Sequence, residues 1–231
     1  MLHKLTDIPA DVPLERVLDR LLAKEPEDIE IVSQLFADLS GVIKPKALFR
    51  EVFVEEIVEN RVKINGYTFE SDVLAANFAG VHRLFAYVAT SGTEADEWQH
   101  GIKDHVSSLW VDMIKQMYLV EAGSYLREYI KKTFQYEKLQ SVNPGSGNLD
   151  NWPISQQAIL FEMIGDVKGE IGVTLTDSFL MIPLKSTSGI LYPSETDYSN
   201  CALCGRENCP GRRTAFDAEL YKKIFKTGDN K

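Results

Sequence analysis

Apolar residues near the start of the chain follow a helical spacing. They recur at steps of three and four residues, at Leu14, Val17, Leu18, Leu21 and Leu22. This spacing places them on one face of a helix. A second helix is expected over residues 28–39, and Pro45 should end the helical part because proline cannot continue it. We therefore predict an N-terminal helical segment over residues 1–49.

Strand patterns begin at residue 50. Apolar positions alternate or run together in short segments, at residues 51–58, 61–64, 67–69 and 82–90. Such segments are typical of strands, because alternate side chains point to opposite faces of a sheet. Ser71 or Asp72 is expected to cap a helix before the last of these strands. Thr93 with Asp96 is expected to begin the helix that follows, as a variant of the capping box.

The rest of the chain predicts further helices and strands. The longest helix is expected over residues 94–134, with a break near Gly101, followed by a loop over residues 135–155. Two more helices are expected over residues 155–164 and 216–225. A pair of strands is expected over residues 172–191, on either side of Pro183. Groups of strands with helices between them, in no regular alternation, predict an α+β fold. Its main domain covers residues 50–200, and residues 201–231 are expected to pack on the same domain.

Composition and charge narrow the classes of partner. Hydrophobic residues make up 44% of the 231 residues and charged residues 26%, which is typical of a globular protein with a core. The net charge of −9 argues against binding to nucleic acid or to an anionic membrane. No apolar run resembles a signal peptide or a membrane span, so a cytoplasmic location is predicted. No catalytic triad or carboxylate pair occurs, and no catalytic residue is predicted.

The cysteines form a compact group at Cys201, Cys204 and Cys209. An odd number of closely spaced cysteines does not suggest a disulfide framework. Thiolates at this spacing are typical of ligands for zinc or for an iron–sulfur cluster. The alternative is three reduced cysteines in a loop, with a redox pair among them.

Glu121 lies on the apolar face of the predicted long helix. At about 100° per residue it projects in nearly the same direction as Trp110 and Ile114. A carboxylate on such a face is costly unless it is paired or hydrogen-bonded. Two interpretations remain open here, namely a structural ion pair and a carboxylate directed at a ligand.

Two loops contain small residues that allow close approach of a ligand. The first is Asn143-Pro144-Gly145-Ser146-Gly147, whose glycines let backbone amides turn toward a bound group. The second is Ser186-Thr187-Ser188-Gly189, where hydroxyl groups stand beside a glycine. The alternative interpretation of each loop is an ordinary turn.

The order of these segments resembles the activation domain of vitamin B12-dependent methionine synthase. The resemblance rests on Ile171–Pro183, with its Leu-Thr-Asp-Ser-Phe run, and on the Ser-x-Ser-Gly segment at 186–189. It extends upstream to residues 81–96 and to the long helix, and covers roughly residues 50–200. It implies a twisted, mainly antiparallel sheet flanked by helices, one of them long.

The resemblance also implies a ligand site. In that family the domain binds S-adenosylmethionine, the methyl donor that restores an oxidised cobalamin after one-electron reduction. By position, Glu121 would contact the ligand, and Ser188, Gly189 and Tyr192 would line its groove. The loop that holds the ligand would consist of Asn143, Pro144, Gly145, Ser146 and Gly147. The family's loop begins with Arg and contains a Tyr-Pro pair; here Asn143 replaces the Arg and the pair is absent.

The resemblance therefore implies an accessory protein for reductive reactivation of a corrinoid-dependent methyltransferase such as methionine synthase. It would act in trans on a separate corrinoid protein, with a reduced electron donor. The cysteine group is absent from the family's domain, and a metal centre there would provide an electron relay. The alternative is an iron–sulfur electron-transfer or corrinoid-docking module that no longer binds S-adenosylmethionine.

Overall fold

The computed structural model describes residues 1–6, 8–146, 151–194, 200–209, 212 and 214–225. Its strands are β1 (Leu2–Leu5), β2 (Lys46–Val58), β3 (Arg61–Ile64), β4 (Tyr67–Glu70), β5 (Arg83–Thr90), β6 (Leu139–Val142), β7 (Thr174–Leu175), β8 (Met181–Ile182) and β9 (Ser186–Pro193). Its α-helices are α1 (Leu14–Leu21), α2 (Pro26–Ser40), α3 (Asp72–Phe78), α4 (Thr93–Gln99), α5 (His105–Phe134), α6 (Gln157–Ile164), α7 (Val167–Ile171) and α8 (Ala218–Phe225). Short 3₁₀ turns occur at Ile154–Gln156 and Asn200–Leu203. None of the helices in these ranges is long and apolar enough to cross a membrane.

A seven-stranded sheet forms the centre of the described structure. Its strands follow the order β4-β3-β2-β5-β9-β6, and β1 pairs with the first part of β2. Every pairing is antiparallel. The strand β5 lies in the middle, and all its residues after Arg83 are buried, as expected for a strand covered on both faces. The predicted α+β fold with a mainly antiparallel sheet is thereby confirmed.

Helices cover both faces of the sheet. On one face, alternate residues of β5 such as Leu84, Ala86 and Val88 pack in a core with α3, α6 and α7. On the other face, Phe85 and Tyr87 pack against α5 in a second core. A third core joins α5 to α1, α2 and α4. The helix α5 has 30 residues, which corresponds to about 45 Å, and contributes side chains to the second and third cores.

The helix ends are capped partly as the sequence predicts. The hydroxyl of Ser71 accepts a hydrogen bond from the amide of Leu74 at 3.1 Å and caps α3, as expected. The predicted capping role of Thr93 is wrong, because α4 already begins at this residue and no side-chain cap bond forms there. The predicted break near Gly101 is confirmed, since α4 and α5 are separate helices. Asp104, which accepts from the amide of Ser107 at 2.7 Å, caps α5.

The N-terminal segment is not entirely helical. Strand β1 lies within it, and β2 begins before residue 50, so the sheet crosses the predicted boundary between segment and domain. Strand β6 likewise lies within the predicted loop over residues 135–155. The four residues of β1 and of β6 show no alternation of buried and exposed positions, whereas the equally short β3 does. Strands β1 and β6 form by pairing with the long strand β2 and with β9.

Candidate functional site

A cavity of about 220 Å³ opens beside β9, between the end of β6, the start of α6 and the β7–β8 hairpin. Its lining consists of Asn143, Pro144, Ile154, Gln157, Phe179, Leu180, Met181, Leu184, Ser186, Thr187 and Ser188. Both segments singled out from the sequence contribute to it, but the expected turn over residues 186–189 is wrong, because these residues pair with β5 as the start of β9. The structure therefore brings Asn143, Pro144 and Ser188 together in one site.

Asn143 is bonded to the sheet beneath it. Its amide nitrogen Nδ2 donates to the hydroxyl of Tyr87 at 2.8 Å and to the carbonyl oxygen of Ser188 at 2.7 Å. Gly189 makes this approach possible, because a Cβ at this position would collide with the carbonyl oxygen of Val142 and with the Asn143 amide. The predicted importance of Gly189 thus has a steric origin, and its place is beside the cavity rather than in the lining.

The rest of the Asn143 loop folds back on the segment before α6. Gly145 adopts a left-handed conformation with φ of 69°, and its amide donates to the carbonyl oxygen of Trp152 at 2.8 Å. A side chain at Gly145 would contact Ile154, whose side chain lies within 2.9 Å of the Cβ position. The amide of Ser146 donates to the carbonyl oxygen of Asn143 at 3.2 Å, which closes a turn. Gly147, the last predicted member of the loop, lies outside the described residues.

Two buried polar side chains of the cavity have spare hydrogen-bonding capacity. The hydroxyl of Ser188 is buried and has no hydrogen-bond partner within the described ranges. Gln157 is 2% exposed, and its Nε2 reaches the carbonyl oxygen of Phe179 only at 3.5 Å, the limit for a hydrogen bond. A buried polar group without a hydrogen-bond partner costs about 1–3 kcal/mol of stability. A ligand that forms hydrogen bonds with Ser188 and Gln157 would remove this cost and gain affinity.

The β7–β8 hairpin forms the outer wall of the cavity. The backbone of Phe179 adopts a left-handed conformation with φ of 62°, which is unusual for a residue with a side chain. Thr176 fixes this turn, because its carbonyl oxygen accepts from the amide of Phe179 and its hydroxyl accepts from the amide of Leu180. The carbonyl oxygen of Phe179 is thereby directed toward Gln157.

An apolar rim surrounds the cavity mouth. It consists of the exposed side chains of Ile154, Leu180, Ile182 and Leu184, which are between 39% and 60% exposed. Three of the four also line the cavity. Exposed aliphatic residues in a group of this kind are typical of a surface that binds a partner.

Glu121 and Tyr192 have other surroundings. The carboxylate of Glu121 accepts a hydrogen bond from Arg16 of α1 at 2.6 Å, beside a second depression lined by Arg16, Arg20 and Met117. Tyr192 is 1% exposed, packs edge-on against Phe78, and donates from its hydroxyl to Asn77 at 2.7 Å. Neither residue lines the cavity, and their predicted ligand contacts stay predictions.

The cysteine loop is shaped by an arginine. The guanidinium of Arg212 donates to the carbonyl oxygens of Cys201, Cys204, Arg206 and Thr214. None of the three thiols takes part in a disulfide bond. Within the ranges that the structure describes, no group of three or more Cys, His, Asp or Glu side chains lies close enough to hold a metal ion. The predicted role of Cys201, Cys204 and Cys209 as metal ligands stays a prediction from their spacing.

The fold has a counterpart among solved structures. Neither a protein-family profile nor a curated protein matches the sequence. The described chain superposes on the crystal structure of the MetH reactivation domain bound to AdoHcy with a TM-score of 0.60. The match covers 87% of this chain and 81% of that one, at 16% sequence identity. The fold is that of the MetH reactivation domain. The resemblance noted in the sequence thus extends to the three-dimensional arrangement.

Several lining residues of this reactivation-domain fold were not predicted from the sequence. Ile154 and Gln157 lie in the Trp-Pro-Ile-Ser-Gln-Gln run that ends at the first residue of α6, and Phe179 lies in the Leu-Thr-Asp-Ser-Phe run. Both runs are distinctive in the sequence and could have marked these residues as candidates. The sequence did not indicate that α6 and the β7–β8 hairpin close over β9.

Proposed function

We propose that this chain binds S-adenosylmethionine and assists the reductive reactivation of a corrinoid-dependent methyltransferase such as methionine synthase. The observation that carries the proposal is the cavity beside β9 in a reactivation-domain fold, lined by Asn143, Pro144 and Ser188. The structural neighbour is bound to AdoHcy, the product that remains when S-adenosylmethionine gives up its methyl group.

The corrinoid would be carried by a separate protein and would accept the methyl group after reduction by an electron donor. This chain would supply a place to bind and orient the methyl donor at the surface where the partner docks. The apolar rim of Ile154, Leu180, Ile182 and Leu184 supports such docking, because it surrounds the cavity mouth where the methyl group has to be presented.

Ligand binding is tested by isothermal titration with S-adenosylmethionine. We expect saturable binding that a Ser188→Ala substitution weakens, because the hydroxyl in the cavity is lost and no bulk is added. The loss of a hydroxyl in Thr68→Val, at an exposed residue of β4, is the control and should leave binding unchanged. No binding at millimolar ligand would refute the methyl-donor role.

Docking is tested with the cobalamin-binding part of a methionine synthase as the partner. Leu184→Glu places a charge on the rim and should weaken the complex in sedimentation experiments. Leu109→Glu, on α5, is a matched control because both leucines are 60% exposed. Equal complex formation by the two variants would contradict docking at the rim.

A docking module without ligand binding is the second candidate. It is favoured by Asn143, whose amide nitrogen is engaged with Tyr87 and Ser188 and is therefore not directed into the cavity. Loss of docking in the Leu184→Glu variant, together with no binding of S-adenosylmethionine, would select this candidate.

Metal binding by Cys201, Cys204 and Cys209 stays a prediction from their spacing, whether the centre is zinc or an iron–sulfur cluster. The described geometry of the loop does not support it. Anaerobic purification followed by metal analysis and a visible absorption spectrum tests it. A band that bleaches on reduction would indicate a cluster, and stoichiometric zinc in a colourless protein would indicate a structural site.

A further inference from the structure

The cavity beside β9 has an uncharged lining. Each of the described lining residues is apolar or carries a neutral hydroxyl or amide group. A carboxylate that entered such a site would lose hydration without gaining a cationic partner, which costs several kcal/mol. The lining therefore does not favour the amino-acid end of a ligand such as S-adenosylmethionine.

Lys185 is adjacent in sequence to the lining residues, but its ammonium group points away from the cavity. Lys185 lies between the lining residues Leu184 and Ser186, but its Nζ is 3.5 Å from a carboxylate oxygen of Asp112. Asp112 belongs to α5, and its other carboxylate oxygen is 3.8 Å from the buried Lys115. The ammonium of Lys185 is thus part of an ionic group that lies on α5 and not in the cavity.

Asn143 has no amide hydrogen left for a ligand. A side-chain amide nitrogen carries two hydrogens. The nitrogen of Asn143 donates to Tyr87 and to the Ser188 carbonyl oxygen, at 2.8 and 2.7 Å, so that both hydrogens are engaged. Asn143, which replaces the Arg of the family's loop, therefore offers only its carbonyl oxygen, which repels an anion.

The remaining polar groups suit a neutral heterocycle or a sugar. The hydroxyl of Ser188 and the amide of Gln157 can both donate and accept, and Phe179 and Met181 offer apolar contact. At about 220 Å³ the cavity is smaller than the roughly 300–1,000 Å³ of typical small-molecule sites. It would accordingly enclose a part of a ligand of this size and leave the rest outside.

We infer that the cavity recognises the nucleoside part of its ligand and does not select for the ligand's carboxylate. This inference rests on the proposed function, and it concerns which part of the methyl donor determines affinity. A consequence is that 5′-methylthioadenosine, which has the same nucleoside and thioether but no amino-acid group, should compete with S-adenosylhomocysteine.

The test is isothermal titration of the full chain with S-adenosylhomocysteine, 5′-methylthioadenosine and methionine. The first two should bind with dissociation constants within about threefold of each other, and methionine should not compete. Binding of S-adenosylhomocysteine more than about tenfold tighter than that of methylthioadenosine, a difference of about 1.4 kcal/mol, would overturn the inference and leave the proposed function standing. Absence of binding by both nucleosides would overturn both.

A substitution of Ser188 tests whether the nucleoside part binds in the cavity. Ser188→Ala should weaken both nucleosides by the same factor, because the hydroxyl meets the part that they share. Ser91→Ala is a matched control, since the Ser91 hydroxyl is also buried without a described partner but does not line the cavity. A loss confined to S-adenosylhomocysteine in the Ser188 variant would contradict the inference, and unfolding curves of both variants would verify that each one folds.

Discussion

The guanidinium of Arg16 lies 2.6 Å from the carboxylate of Glu121, and this ion pair joins α1 to the middle of α5. The side chains are 50% and 27% exposed, so water screens the pair in part. The helical position of Glu121 on an apolar stripe allows either a structural ion pair or a ligand contact. The geometry provides a partner for the first of these.

We expect Glu121→Gln and Arg16→Met each to lower the free energy of unfolding by less than about 1 kcal/mol. Because the two changes remove the same interaction, their effects should not add in the double variant. Urea unfolding of the single and double variants measures the coupling. A loss of nucleoside affinity in Glu121→Gln that is absent in Arg16→Met would support the predicted ligand contact of Glu121.

The buried Lys115 provides a second prediction. Its ammonium pairs with Asp96 of α4 and donates to Gln99 at 2.7 Å, while the side chain is only 3% exposed. Asp96→Ala would leave this ammonium without its closest counter-charge, which typically costs about 3–5 kcal/mol. Lys115→Met removes the buried charge itself, and should cost less because Asp96 is 26% exposed and can be hydrated.

Chemical denaturation measures the free energies of unfolding of the Asp96→Ala and Lys115→Met variants. Lys131→Met is a suitable control, since Lys131 pairs with Glu128 near the exposed end of the same helix. If Asp96→Ala is no more destabilising than Lys115→Met, the network does not hold α4 against α5 as described.

The pH dependence of stability should include a contribution from Glu94. Burial raises the pKa of this carboxyl, but the hydrogen bond from Lys46, the bond from its own amide, and the charges of Lys46 and Lys44 outweigh burial. The pKa in the folded state is therefore below its ordinary value of 4.5. The ionised carboxylate thus stabilises the fold above pH 4.5, and this contribution is lost as the pH falls from 4.5 through the folded-state pKa.

Glu94→Gln should consequently reduce the free energy of unfolding at neutral pH and flatten its decrease below pH 4.5. Urea unfolding at a series of pH values on both sides of 4.5 measures the free energy of unfolding of the variant and of the wild type. The same substitution at Glu97, an exposed residue of α4, is the control. A variant profile parallel to that of the wild type would show that Glu94 does not contribute.

Gly92 is predicted to tolerate no side chain. Its φ is 103°, and a Cβ would collide with the carbonyl oxygen of Lys44 and lie 2.8 Å from the Glu94 carboxylate. Gly66 has a similar φ of 83° but open space around it. Gly66→Ala should therefore cost only the backbone strain of about 1–3 kcal/mol. Gly92→Ala should cost clearly more in the same unfolding experiment, and equal losses would mean that the backbone near Lys44 yields.

Much of the fold could be predicted from the sequence because burial on both faces leaves a strong pattern. In β5 every position after Arg83 is buried, and the apolar run identifies the strand without further information. Strands β1 and β6 could not be found in this way, because they exist by pairing with distant residues. The predicted Thr93 cap was wrong because Thr93 is already the first residue of α4, and the N-cap residue is Gly92, which has no side chain to form a cap bond.

The candidate site was predictable where it depends on local backbone and not where it depends on packing. Asn143 and Pro144 lie in a loop and Ser188 in β9, each in a segment with recognisable small residues, and they meet in the cavity. Gln157 and Phe179 reach it only because α6 and the β7–β8 hairpin pack over β9. For the cysteines, the spacing left the directions of the thiols undetermined, and it did not indicate that Arg212 donates to the carbonyl oxygens of Cys201 and Cys204.

Helix α5 contributes side chains to two hydrophobic cores, and this determines how the protein unfolds. Leu126 and Ile130 anchor this helix on the sheet, while Val111 and Ile114 anchor it on the N-terminal helices. Opening either core exposes one end of a continuous hydrogen-bonded helix, so the two cores should melt as one cooperative unit. Native-state hydrogen exchange should then give the central amides of α5, α2 and β5 a common opening free energy equal to that of global unfolding.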